Sequence, residues 1–224
     1  MTSVDNSNYL IRSRDLIDRE ILVTPIHVVG AGSIGSFTVL TLAKMGFNNI
    51  NAYDADTVDD ANVGCQLYGP KHIGMHKVDA LQSIVRDLTG IEIGFVAGNY
   101  LGGKLDGVVI AAVDSMATRR LIFTEQRMNY GMQYYIDPRM GAEHAMMYCV
   151  KGMNKPEFDN YKKTLYSDGE AISEPCTAKS TVYTASYIGS LVAQTVKDAL
   201  MDEAYRHTVQ WSIKHYDFEG HAHA

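Results

Sequence analysis

Three glycines and an aspartate form the stretch of this sequence that is best suited to chemistry. Gly30, Gly32 and Gly35 follow the apolar run Ile26–Val29, and Asp54 ends the next apolar segment. In a dinucleotide-type turn, such glycines permit a tight bend, a close approach of backbone to a phosphate, and close packing of the next helix. The helix N-terminus attracts an anion, and a carboxylate at a strand tip binds ribose hydroxyls. The pattern therefore predicts a nucleotide site.

The cysteines offer a second kind of chemistry. Cys176 lies in a polar segment that we expect to be exposed, and an exposed polar setting suits a reactive thiol better than a core side chain. It is a candidate acceptor of an acyl group as a thioester. Cys149 lies inside an apolar run, so we predict that it packs in the core.

The first half of the chain has the pattern that positions such a site. Apolar runs of strand length alternate with segments of helical spacing, which predicts a parallel sheet with right-handed crossovers. The predicted strands cover 26–29, 49–53, 91–96 and 107–113, and the predicted helices cover 34–45, 75–88 and 116–129.

The second half has a different pattern. Two short strands, 134–137 and 145–150, are separated by a hairpin-like connection, and a long polar loop is expected over 151–180. Apolar residues then recur at helical spacing over 181–201, and a closing strand is expected over 209–218. We find neither an internal repeat nor a linker, so we predict one domain over residues 1–224.

Composition limits the class of protein. Apolar residues make up 46% of the chain and the formal net charge is −6, which argues against general binding to nucleic acid or to anionic membranes. No apolar run reaches the ~18 residues that a membrane span needs, and the first twenty residues lack the apolar run of a secretory signal. The three cysteines form no C-x-x-C pair, so we expect reduced thiols and a cytoplasmic protein.

Several motifs, in their order, resemble the ThiF/MoeB family, whose fold is shared with the ubiquitin-activating enzymes. The glycine loop and Asp54 match that family, and the segment 62–66 resembles its Asn-x-x-Arg-Gln motif. Gly74 followed by Lys77 resembles its phosphate-contacting lysine, and Asp114 its magnesium-binding aspartate. The segment around Cys176 resembles its cysteine-bearing crossover loop. The expected fold is therefore α/β, a Rossmann-like mostly parallel sheet with an antiparallel C-terminal extension.

The resemblance implies ATP-dependent activation of a carboxylate, with Mg²⁺ as the metal. The carboxylate belongs to the C-terminus of a small ubiquitin-like or sulfur-carrier protein, or of a peptide, and the expected assembly is a homodimer. The implied nucleotide-binding residues are Gly30, Gly32, Gly35, Asp54, Asn62, Gln66 and Lys77. The implied catalytic residues are Lys77, Asp114 and Cys176, with Asp114 as the metal ligand.

Each implied residue has an ordinary structural alternative. Asp114 precedes a predicted helix and is a possible N-cap, while lysines such as Lys77 usually lie in solvent. The amides of Asn62 and Gln66 are equally able to satisfy loop backbone. The position of Asp54 at the end of the strand that follows the glycine loop favours the nucleotide interpretation.

Two departures from the family pattern bear on activity. Cys65 stands where the family has an arginine, and no zinc-binding cysteine pairs are present, so we predict no zinc. The loss of this cation motivates an alternative function, a catalytically degenerate protein that binds a nucleotide or a partner. A nicotinamide-dependent oxidoreductase is a less favoured alternative. Lys71, or Arg12 or Arg14 from a partner chain, are candidate compensating cations.

Overall fold

A single mixed sheet organises the chain. The computed structural model describes residues 10–13, 15–166 and 180–222, and only the backbone of residues 221 and 222. Strands β1 to β8 are, in chain order, Ile26–Val29, Ile50–Asp54, Gly94–Ala97, Gly107–Ala111, Met132–Gly141, His144–Lys151, Arg206–Ser212 and Asp217–Ala222. Helices α1 to α6 are Ser33–Lys44, Asp60–Val63, Lys77–Thr89, Met116–Gln126, Lys155–Lys162 and Val182–Leu200.

The order of strands across the sheet is β3-β2-β1-β4-β5-β6-β7-β8. The pairings from β3 to β5 are parallel, and those from β5 to β8 are antiparallel. This arrangement confirms the predicted α/β class, with a parallel core and an antiparallel C-terminal extension. Strands β1 and β4 are neighbours in the sheet but are far apart in the sequence, so the strand order reverses between them. In folds of this kind, nucleotides bind at the carboxyl ends of the strands where the order reverses.

Helices cover both faces. On one face, α1, α3 and α6 bury the larger apolar cluster, in which Leu42, Leu81 and Ile188 are fully buried. On the other face, α4 and α5 bury a smaller cluster that contains Phe123 and Tyr161. The central strand β4 is buried along its whole length, as expected for a strand covered on both sides. No helix in the described ranges has the length and apolar character needed to cross a membrane.

The antiparallel half differs most from the sequence prediction. The segment predicted as a loop contains α5, which begins at the N-cap Asn154 and has proline in its first turn. Proline breaks a helix interior but is compatible with its first turn, so the Lys155-Pro156 pair starts a helix and the loop prediction is wrong there. The predicted strand over 209–218 is instead a hairpin of β7 and β8, with Tyr216 at a positive φ of 57° in the turn.

The two strands before it are longer than predicted. Strand β5 continues through Pro138, which pairs with Met147 of β6. The other neighbour, β4, pairs with β5 only as far as Ile136, so the missing N–H of Pro138 breaks no ladder bond on that side.

Two smaller differences occur in the first half of the chain. The third strand begins at Gly94 rather than at residue 91, and a 3-10 turn, Arg19–Val23, precedes β1.

Candidate nucleotide and acceptor cleft

The glycine loop lies between β1 and β4 with almost no space for side chains. Gly30 has a φ of +98°, and a Cβ there would overlap the carbonyl oxygen of Ala112 at the end of β4. A Cβ on Gly35 would overlap the carbonyl oxygen of Gly30, so this glycine allows α1 to pack directly on the loop. Both roles agree with the mechanics expected of a dinucleotide-type turn.

The N-terminus of α1 is open toward a cleft. Its N-cap is Gly32, so the cap has no side chain to accept a bond from the first helical N–H groups. A Cβ on Gly32 would meet only the Nε2 atom of Gln66, at 4.0 Å. Uncapped N–H groups and the helix dipole together form an anion-binding position.

Asp54 connects the glycine loop to the end of β2. Its Oδ2 accepts a hydrogen bond from the Ala31 N–H at 2.7 Å, and its Oδ1 accepts one from the Asp56 N–H at 2.8 Å. A carboxylate has about four acceptor positions, so two bonds leave room for ribose hydroxyls. Asp54 thus has a structural function in the loop in addition to the predicted binding function.

Lys77 is the first residue of α3 and lines the same cleft. Its side chain is 9% exposed, and its Nζ lies 2.7 Å from Oδ2 of Asp56, whose own side chain is 69% exposed. The solvated alternative for Lys77 is therefore wrong. Burial of the Lys77 stem holds its ammonium at the wall of the cleft. Among the described residues, Asp56 is the one ion-pair partner of this ammonium.

The two amide residues of the 62–66 segment separate in space. Gln66 lines the cleft, and its Oε1 is buried with no hydrogen-bond partner among the described atoms, which marks a place for a ligand or water. Asn62 lies outside the cleft lining. It forms a capping box with Asp59, whose Oδ1 accepts from the Asn62 N–H at 3.0 Å. This position matches the structural alternative, and nucleotide contact by Asn62 stays a prediction.

Asp114 lies just beyond the carboxyl end of β4. The N-cap of α4 is Ser115, whose Oγ accepts from the Thr118 N–H at 3.2 Å, so Asp114 is not the cap. Asp114 is exposed and lines the cleft. No group of three or more potential metal ligands occurs in the described ranges. A single carboxylate fits Mg²⁺, which is usually held by one or two carboxylates together with phosphates and waters.

Aromatic residues that the motifs did not indicate form another part of the wall. Tyr53 and Tyr100 line the cleft and meet edge to face, with ring centroids 6.3 Å apart. Burial raises the pKa of Tyr100 to about 12. Neutral phenol rings of this kind are suitable surfaces for a base.

The cleft extends across both halves of the sheet. Its volume is about 1020 Å³, and it runs from Lys77 and Asp54 past Asp114 to Trp211 and Phe218. Ligand pockets of drug size occupy about 300–1,000 Å³. The cleft is therefore large enough for a nucleotide together with a peptide segment.

The sequence did not indicate a buried charged group on the antiparallel side of the cleft. Asp137 of β5 is fully buried and receives Arg119 of α4 and Arg139 of β5. The Arg139 Nε donates to Asp137 Oδ2 at 2.8 Å, and the Tyr161 hydroxyl donates to the same oxygen at 2.7 Å. We call these three charged residues the Arg119–Asp137–Arg139 cluster. No spacing rule in the sequence indicates that Arg119 meets β5.

The cysteines have different positions. Cys65 donates to the Ala61 carbonyl oxygen over 3.4 Å and does not line the cleft. The candidate compensating cations Lys71 and Arg12 are exposed and also lie outside the cleft lining. Cys149 is buried as predicted, and burial raises the pKa of its thiol. Cys176 and Arg14 lie outside the described residues.

The cleft borders the ends of the segment that contains Cys176. Tyr166 precedes this undescribed segment and lines the cleft, and Ser180 follows it. The Ser180 Oγ donates to Ser33 Oγ at 3.1 Å, at the first residue of α1. The chain therefore leaves and rejoins the described structure at this cleft.

Comparison with known proteins identifies a family over nearly the whole chain and individual relatives over less than half of it. The sequence profile of the ThiF family matches residues 17–219. SUMO-activating enzyme subunit 2 of Dictyostelium discoideum is 34% identical over 110 residues, which are 45% of this chain and 17% of that protein. Adenylyltransferase and sulfurtransferase uba4 of Neosartorya fischeri is 33% identical over 100 residues, 43% of this chain and 20% of that protein. The chain thus spans about a fifth of the length of these relatives.

Solved structures resemble the fold over a larger part of the chain. The crystal structure of E. coli MccB with AMPCPP and SeMet MccA has a TM-score of 0.73 at 15% identity, covering 97% of this chain and 72% of that one. SeMet PaaA has a TM-score of 0.75 at 14% identity, covering 99% and 84%. MccB has also been solved with ATP, and that structure has a TM-score of 0.68 at 14% identity and covers 89% and 63%.

Proposed function

Because this chain belongs to the ThiF family, we propose that it is an ATP-dependent adenylyltransferase. Its proposed substrate is the C-terminal carboxylate of a small ubiquitin-like or sulfur-carrier protein, or of a peptide. The relatives support this class, since one is named an adenylyltransferase and a structural neighbour was crystallised with ATP.

The observation that carries the proposal is the combination of groups along one cleft. An uncapped helix N-terminus, the strand-end carboxylate of Asp54, the ammonium of Lys77 and the exposed carboxylate of Asp114 all line it. In this assignment the glycine-loop N–H groups bind phosphate, Asp54 binds ribose hydroxyls, and Tyr53 and Tyr100 border the base.

The reaction requires positioning and charge stabilisation. The acceptor carboxylate attacks the α-phosphorus of ATP, an acyl-adenylate forms, and the bond to pyrophosphate breaks. Negative charge develops on phosphate oxygens, so fixed donors and cations supply the main stabilisation. Lys77 and the α1 N-terminus are placed for this purpose, while the carboxylate of Asp56 keeps the Lys77 ammonium at the wall.

We assign Mg²⁺ to Asp114. When bound, the metal would neutralise phosphate charge, and Asp114 would orient it from the carboxyl end of β4. Because Ser115 already caps α4, the Asp114 carboxylate is not committed to capping.

A second candidate is a nucleotide-binding protein without turnover. Cys65 favours it, because a cysteine side chain does not offer a phosphate the paired N–H donors of a guanidinium. The test is ATP–pyrophosphate exchange in the presence of peptides with free C-termini. Exchange supports the enzyme, whereas binding of ATP–Mg²⁺ without exchange supports the alternative. Calorimetric preference for NAD over ATP would reject both.

The remaining assignments concern assembly and location. We propose a cytoplasmic protein, which agrees with the reduced thiols expected from its cysteine content. We also propose a homodimer, since aromatic residues remain exposed on α6 and in the β7–β8 hairpin, with Tyr187 at 50% and Tyr216 at 94% exposure. Isologous contacts between such surfaces are the commonest soluble assembly. Light scattering that gives a monomer at micromolar concentration would contradict the assignment.

A further inference from the structure

The Arg119–Asp137–Arg139 cluster carries more positive than negative charge. Two guanidinium groups share one carboxylate, and both Asp137 and Arg119 are almost completely removed from solvent. The tyrosines that contact the cluster supply no anion, because burial raises the pKa of Tyr135 and of Tyr161. A net positive charge therefore remains beside the cleft, and charge removed from water is costly unless it is paired.

Part of the hydrogen-bonding capacity of this cluster is also unused. Arg119 donates to Asp137 and to the carbonyl oxygen of Val113, but its Nε is buried without a partner among the described atoms. Arg139 is held by Thr164, whose carbonyl oxygen accepts from Nη1 at 3.1 Å and whose Oγ1 accepts from Nη2 at 3.0 Å, and its guanidinium lies 4.8 Å from the ring centroid of Tyr148. Its Nε and Nη2 also contact Asp137, so one Nη1 hydrogen is left for a further partner among the described atoms. Both arginines line the cleft.

An anion that enters the cleft would balance the net charge of this cluster. Two anions belong to the proposed reaction, the acceptor carboxylate and pyrophosphate. The sheet order distinguishes them. Asp54 ends β2 and Asp56 follows it, whereas Arg139 lies on β5, on the far side of β1 and β4. From Arg139 the cleft continues to Met146, Trp211 and Phe218, which is apolar surface suited to a peptide chain rather than to phosphate.

We propose that Arg139, supported by Arg119, binds the C-terminal carboxylate of the acceptor and orients it toward the nucleotide. The inference rests on the proposed function, because the acceptor is defined by it. The positive charge of Arg139 favours the ionised carboxylate, the remaining Nη1 hydrogen donates to one carboxylate oxygen, and the other oxygen then faces the α-phosphorus. Asp137 positions both arginines and makes no contact with the acceptor.

The test compares an acid with its amide. Binding of N-acetylglycylglycine and N-acetylglycylglycinamide to the full chain is measured by NMR titration, with and without Mg²⁺–AMPCPP. The wild type is expected to prefer the acid by at least tenfold, because hydrogen bonds to charged groups are the stronger ones. Arg139→Gln is expected to reduce this preference to about onefold, and Arg139→Lys, which keeps the charge without the planar guanidinium, to an intermediate value.

Arg120→Gln is the matched control. Arg120 is exposed, and its Nη2 donates to the backbone carbonyl oxygens of Leu165 and Tyr166 at 3.2 and 3.0 Å. This variant removes a neighbouring guanidinium and is expected to keep the full preference for the acid. The melting temperature of each variant separates loss of binding from loss of structure, and if Arg139→Gln does not fold, Arg139→Lys decides the question.

Three outcomes would overturn the assignment. The first is equal binding of acid and amide to the wild type, and the second is an unchanged preference for the acid in the folded Arg139 variants. The third, measured by a parallel titration with pyrophosphate, is a loss of pyrophosphate binding in these variants while acid binding is kept. The last result would place phosphate at the cluster. ATP binding is measured in parallel, so a wild type that prefers the acid but does not bind ATP would reject the proposed function and keep the carboxylate subsite.

Discussion

The parallel and antiparallel halves of the sheet form the cleft in different ways. In the parallel half, the polar groups are short side chains and backbone N–H groups at strand ends, such as Asp54 and the N-terminus of α1. In the antiparallel half, they are long charged side chains that meet around Asp137 inside the structure. The first arrangement needs the correct backbone path, and the second needs a buried charge network. Mutations in the parallel half are therefore expected to change the backbone path and the rate of ATP–pyrophosphate exchange. Mutations in the antiparallel half are expected to change stability and affinity for the acceptor.

The largest effect is expected from Asp114→Ala in the parallel half. Loss of the only carboxylate that we assign to Mg²⁺ is expected to lower ATP–pyrophosphate exchange by about 100-fold or more, equivalent to about 3 kcal/mol in the transition state. Ser115→Ala is the control, because it removes the helix cap next to Asp114 at a cost of about 1 kcal/mol of stability and leaves the carboxylate in place. Similar exchange rates for the two variants would show that Asp114 acts only through local structure.

Gly30→Ala tests the geometry of the backbone. The added methyl group would overlap the Ala112 carbonyl oxygen and would occupy a positive φ, so we expect a loss of about 2–4 kcal/mol in the free energy of unfolding. Gly74→Ala shares the positive φ but has no neighbouring atom within 4 Å, and is expected to lose only about 1–2 kcal/mol. Urea denaturation measures both. Equal losses would mean that conformational strain, rather than the close approach of β4, explains the glycine.

Tyr161→Phe tests the charged network of the antiparallel half. The variant removes the hydroxyl that donates to Asp137, so a fully buried carboxylate loses one of its partners. We expect a loss of about 1–3 kcal/mol in stability, with ATP binding unchanged. Tyr166→Phe, at a residue that is 43% exposed, is expected to stay within about 0.5 kcal/mol of the wild type. A large change in ATP affinity for Tyr161→Phe would contradict the separation of the two halves.

Cys65→Arg tests whether the parallel half lacks a cation. If the site is short of positive charge, the introduced guanidinium is expected to raise exchange by up to about tenfold, equivalent to about 1.4 kcal/mol. Cys65→Lys distinguishes simple charge from the planar fork of arginine. A fast wild type that does not respond would indicate a compensating cation. Charge removal at Lys71, Arg12 and Arg14, which were the candidates from sequence, would then be compared with charge removal at the arginines of the cleft.

The smallest effect is expected from Cys176→Ala. The phosphate chemistry needs cations and a metal rather than a thiol, so exchange is expected to stay within a few-fold of the wild type, or about 1 kcal/mol. Any later thioester or persulfide on this residue would disappear, and intact-mass spectrometry would detect that loss. A folded variant without exchange would show that the segment containing Cys176 takes part in the first step.

The sequence determined the parallel half almost completely. The glycine spacing, the apolar runs and Asp54 are local features, and each one limits the backbone within a few residues of itself. Burial of Lys77 was missed, because the pairing with Asp56 depends on how α3 begins relative to the end of β2. For Asn62 the sequence left two roles open, and the structure shows the local one, a capping box with Asp59.

Only the tertiary structure decided the antiparallel half. Helix α5 was hidden by a proline that its first turn accommodates, and the strand over 209–218 became a hairpin because β7 and β8 pair with each other. Arg119, Asp137 and Arg139 come together because α4 packs against β5, and no sequence spacing records that contact. Local patterns fix local backbone, whereas the meeting of buried charges depends on packing between elements that are far apart in the chain.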